Sequence, residues 1–146
     1  MRFANENEIF ALVRSFEEAT IRREDWKHAE HLTVALVYLT EHGMDRATDM
    51  MRSGIFNLLK IGFNIDFAKE MPYHETLTVF WMRAVANFDD SVKTASILDK
   101  ANELIATCNK DLPLRSYTRE LLFSELARTT FVEPDILNMP IDRSCL

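Results

Sequence analysis

The chain is poor in the residues that make sharp turns, with three glycines and four prolines among 146 residues. A sandwich or barrel of many short strands needs more of both, so the scarcity favours long helices joined by few turns. Cysteine is equally sparse. Cys108 and Cys145 stand in unrelated contexts with no CxxC spacing, which removes a disulfide framework and a cysteine-based zinc site. Cys108, on a predicted helix, then reads as a small hydrophobe.

Positive charge is the third shortage. Acidic residues outnumber basic ones by 23 to 17, and the only adjacent basic pair is Arg22-Arg23. Neither nucleic acid nor an anionic membrane surface is therefore an expected partner. No apolar run approaches the length of a membrane span, and the opening MRFANENEIF lacks the apolar segment of a secretion signal. The expected setting is the cytoplasm. Glycine-rich nucleotide motifs (GxGxxG, GxxxxGK), the GxSxG nucleophile turn and HExxH are also missing, leaving nucleotide binding and serine hydrolase chemistry without support.

What is present is an apolar fraction of 47%, enough in one domain of this length to build a core without a structural metal. A metal or ligand would then serve function. Ile9, Leu12, Val13 and Phe16 recur at helical spacing and predict a first amphipathic helix over residues 7–20. Asp25 is the candidate N-cap of a second helix that Gly43 stops after His42. This helix is almost wholly apolar over residues 32–39, which makes it the central helix of the fold. A third helix over residues 45–59 turns Met50, Met51, Ile55, Leu58 and Leu59 inward and Arg46, Asp49 and Arg52 outward, with Gly54 allowing close packing.

A loop delivers the chain to Pro72, a suitable first residue for a fourth helix over residues 72–87. A fifth begins near Asp90, and a short sixth covers residues 117–127. The tail FVEPDILNMPIDRSCL has two prolines and no period, so it reads as extended chain. The prediction is an all-α single-domain bundle, residues 1–146, of about five long helices, a short C-terminal helix and an extended tail.

Four histidines occur, and three of them stand at helix starts: His28 and His31 in WKHAEHL, and His74 in PYHET. Positions i and i+3 share a helix face, so His28 and His31 both lean toward the core with Leu32, Ala35 and Leu39. His74 aligns with Leu77, Thr78 and Trp81, and Glu75 follows about 100° further round. Three imidazoles converge if the two helices pack side by side. Each ring nitrogen buried without a partner costs about 1–3 kcal/mol, and a divalent metal would satisfy them. His28, His31, His74 and Glu75 are thus the candidate ligands for zinc, iron, manganese or nickel in a small metal-dependent enzyme, with Glu75 as ligand or catalytic general base.

The helix dipole argues the other way, because a helix N-terminus favours an anion over a cation. A second reading is a non-catalytic module that holds a small anionic molecule at two helix starts. Arg83, and Arg115 with Tyr117 in LRSYTRE, are its candidate ligand-binding residues; arginines in such places more often bridge a nearby acid. In a third reading the histidines hydrogen-bond only within the fold, and the chain, with seven methionines and an amphipathic third helix, forms a homodimer through an exposed apolar face. His42, at the end of the second helix, reads as a C-terminal capping residue. Trp26 reads first as core or rim packing, with a staple on the loop before the second helix as the alternative.

WKHAEHLTVALVYL, YHETLTVFW and LLFSELARTTFVEPDIL together resemble an uncharacterised family of small bacterial proteins. The likeness lies in its W-x-H-x-x-H-L, Y-H-E-T and V-E-P-D segments. The resemblance spans nearly the whole chain and implies no particular activity. It directs attention to His28, His31, His74 and Glu75.

Overall fold

A computed structural model describes residues 2–93 and 95–136. Among the described residues there are seven helices and no strand: α1 (Glu6–Glu17), α2 (His28–His42), α3 (Met44–Asn57), α4 (Glu75–Ser91), α5 (Ile97–Thr107), α6 (Arg119–Leu122) and α7 (Glu125–Thr129). The five long helices are those that the apolar periodicity predicts. The predicted short sixth helix is two, because Ser124 breaks the run and caps α7 by accepting from the Ala127 N–H.

Caps explain where the other boundaries differ from expectation. Asp25 closes a 3-10 turn (Arg23–Asp25) and binds the Arg22 guanidinium at 2.9 Å, so it does not start α2. That helix begins at His28, where the Glu30 carboxylate reaches back to the Lys27 N–H at 3.0 Å. Pro72 stays outside α4, and the N-cap is His74, whose ring accepts from the Leu77 N–H. The helix then runs through Asp90 to Ser91, leaving Ser96 to cap α5 through the Asp99 N–H. α3 continues into a π-helical turn (Leu58–Gly62) before the loop.

α2 packs against α1, α3, α4 and α5, and its residues 32–39 are buried without interruption. Surrounded on most sides, it is the central helix. Gly43 alone joins it to α3, at φ +80° with open space where a Cβ would stand, so this glycine is needed for backbone shape. Gly54 is needed for space, since a Cβ there would lie 2.3 Å from Phe16 Cε2. α3 turns Ala47, Met51 and Ile55 into the core against α2 and α4, so its apolar stripe is spent within the chain. No helix of the described residues is long and apolar enough to cross a membrane.

The tail is pinned as far as residue 136. Thr76 Oγ1 donates to the Thr130 carbonyl and accepts from the Val132 N–H, Tyr117 donates to the Val132 carbonyl, and Asp135 accepts from both the N–H and the hydroxyl of Thr118. The V-E-P-D segment is a strap laid over α4 and the Tyr117 turn. The rest of the predicted extended tail, with Cys145, lies outside the described residues.

Candidate functional site

The three histidines of interest sit where α2 and α4 begin, and each ring is already engaged. His28, the first residue of α2, places Nε2 3.1 Å from the Cys108 carbonyl and packs edge-on against Trp81, with ring centroids 4.7 Å apart. A carbonyl only accepts, so Nε2 carries the proton. His31 places Nδ1 3.0 Å from the Lys27 carbonyl and lies over Trp26 at 4.1 Å, which puts its proton on Nδ1. Trp26 stacks in turn on Phe16 at 4.9 Å and is half-buried against the core, the rim packing that the sequence suggests.

His74 is fully committed. Its Nε2–H donates to the Leu122 carbonyl at 2.7 Å and its Nδ1 accepts from the Leu77 N–H at 3.2 Å, so one ring caps α4 and ties it to α6. All three rings are held neutral. Burial lowers the pKa of His28, His74 and His31 against hydrogen bonds that act upward, and His31 falls to about 4.

Glu75 is committed as well. Arg52 grips both its oxygens, at 2.9 and 2.8 Å, and Tyr73 donates to the same carboxylate at 2.5 Å. The Arg52 hydrogen bonds hold Glu75 below the usual carboxylate range, reinforced by Tyr73 against partial burial, while burial and the Glu75 contact push the Tyr73 phenol up to about 12. A carboxylate so stabilised is a poor general base. Arg52, expected to face solvent, is the residue that the sequence reading missed. A Tyr-x-Glu pair is visible in YHET, but the guanidinium that completes it comes from another helix.

The expected metal centre is therefore not assembled. Among the described residues no three histidine, cysteine, aspartate or glutamate side chains stand together as a metal-ion site. His28 turns toward α5, His74 toward α6 and Glu75 toward Arg52, because each finds a better-placed partner there. Of the candidate anion ligands, Arg83 and Tyr117 lie close enough for the guanidinium to act on the phenol, with Glu133 beside both. Arg83 lies over the Phe131 ring at 4.5 Å with Glu133 at 3.9 Å, Arg115 is exposed on the 3-10 turn Leu112–Arg115, and Tyr117 is 0% exposed with its hydroxyl on Val132. Tyr117 is thus a core residue that anchors the tail. His42 is exposed and meets Tyr38 edge-on.

What the two helix starts do enclose is a cavity of about 180 Å³ between α2, α3 and α4. Its walls are largely apolar: Leu32, Ala35, Met51, Ile55, Leu77, Trp81 and Met82, with His31, Pro72, Tyr73, His74 and Thr78 completing the lining. Pro72 is exposed and Leu77, Thr78 and Trp81 are half-buried, so the mouth opens to solvent. A wider groove of about 520 Å³ lies beyond Tyr73, bordered by Arg52, Phe56, Met71 and Arg128.

No family model matches the chain, and no curated protein and no solved structure matches it. The family resemblance thus rests on its three segments alone.

Proposed function

We propose that this chain is a non-catalytic binding protein for a small, largely apolar molecule held in the cavity between α2, α3 and α4. The observation that carries the reading is the cavity itself: an apolar hollow, open at one side, against the central helix of the bundle. Interiors are otherwise close-packed, and concave, mostly apolar hollows with a few polar groups are where small molecules bind. The metal-enzyme and anion-binding readings have weaker support, since His28, His74 and Glu75 are spent on the fold, Arg83 is paired with Glu133, and the Tyr117 hydroxyl donates to Val132.

Two measurements test it. Compounds of one-ring size, screened by ligand-observed NMR, should include several that also move the methyl resonances of Met51 and Met82, and Ala35→Leu, which fills the hollow, should abolish those shifts. A screen in which no compound moves either methyl would sink the proposal. Protein purified without a histidine tag should carry well under one metal ion per chain by elemental analysis.

A further inference from the structure

We infer that the cavity selects an uncharged ring compound bearing one hydrogen-bond donor, and that His31 Nε2 is the acceptor that recognises it. The inference rests on the cavity being a binding site. Its volume, about 180 Å³, is close to the roughly 150 Å³ at which an apolar protein cavity admits one benzene ring. One ring with a small substituent fills it, and any larger part of a ligand would extend through the open mouth. No lysine, arginine, aspartate or glutamate lines the space, so an ionised ligand would shed its water without meeting a counter-charge. The ligand is therefore neutral.

The polar groups in the lining decide the rest. Tyr73 donates to Glu75 and Thr78 Oγ1 donates to the His74 carbonyl at 3.0 Å, which leaves them hydroxyl lone pairs, weaker acceptors than an imidazole nitrogen, and both nitrogens of His74 are bonded within the fold. His31 differs. Its Nδ1–H is used by Lys27, and among the described residues nothing bonds Nε2. With the Nδ1 proton fixed on the Lys27 carbonyl, Nε2 of the neutral ring offers a lone pair and no proton. An O–H or N–H on the ligand supplies the missing partner, while the Met51 and Met82 thioethers and the Trp81 ring suit an aromatic body.

Phenol, toluene and benzoate separate the elements of this inference, with affinities measured by NMR titration at pH 7.5. Phenol is expected to bind and benzoate not to. The ratio of phenol to toluene affinity should fall about tenfold in His31→Phe, the cost of losing one such hydrogen bond. As a readout on the unaltered chain, the ¹⁵N resonance of His31 Nε2 should move upfield with phenol and stay in place with toluene. An unchanged affinity ratio in His31→Phe, an unmoved Nε2 resonance on phenol saturation, or benzoate binding as tightly as phenol would each overturn the inference while leaving the cavity a binding site. Failure of both phenol and toluene to bind would overturn the binding reading and the inference with it.

Discussion

The starts of α2 and α4 use the same kind of residue to opposite ends. At α4 the histidine is itself the cap, so His74 has one nitrogen on the helix's own N–H and the other on Leu122. Tyr73, Glu75 and Thr76 beside it are bonded too. At α2 the capping falls to Glu30, which holds the Lys27 N–H and pairs with Arg2. His31 is thereby relieved of that task, and one of its nitrogens stays unclaimed. Whether a histidine at a helix start keeps any chemistry depends on which side chain does the capping.

Acid should break both starts and gives the largest effect. The folded-state pKa of His31, about 4, lies below its ordinary 6.5, so the unfolded chain takes up a proton first as pH falls. The stability tied to the neutral ring is complete above pH 6.5 and is lost between there and pH 4, up to roughly 3 kcal/mol for His31. His28 and His74 are shifted in the same direction and add to the loss. Urea titrations at stepwise pH values measure it, and His31→Phe should flatten the curve most.

Next in size is His74→Ala, which strands the Leu122 carbonyl and the Leu77 N–H. It should cost about 2–3 kcal/mol at neutral pH, read from the urea midpoint. The Arg52–Glu75 pair comes third. With side chains 34% and 16% exposed, a double-mutant cycle of Arg52→Ala and Glu75→Gln should return a coupling of about 1–2 kcal/mol. The smallest effect sharpens the comparison: at pH 7.5, His31→Phe should change stability by less than about 1 kcal/mol, since Phe keeps the stacking on Trp26 and solvent can take over the Lys27 carbonyl. A loss as large as that of His74→Ala would place both histidines in the same structural class.

The helices were readable from the chain because apolar periodicity is a local signal, and the unbroken run over residues 32–39 marked α2 as central. Boundaries were harder, since Glu30 took the capping role expected of Asp25, and His74 capped α4 two residues beyond Pro72, the expected first helical residue. The histidine site was legible as a location only. Spacing gives the direction of a ring, whereas the partner of each nitrogen lies far along the chain: Cys108 is 80 residues from His28, and Leu122 is 48 from His74. Arg52 likewise finds Glu75 across 23 residues. The cavity, made by the packing of three helices, has no motif of its own.

The two tryptophans each rest against a different member of the HxxH pair, Trp26 on His31 and Trp81 on His28. An imidazolium quenches indole emission and a neutral imidazole does so far less, so the chain carries its own pair of optical probes. Replacing Trp81 with Phe leaves an emission that follows His31 through its titration. Replacing Trp26 with Phe leaves one that looks into the cavity, where Trp81 is part of the wall and senses an occupant directly.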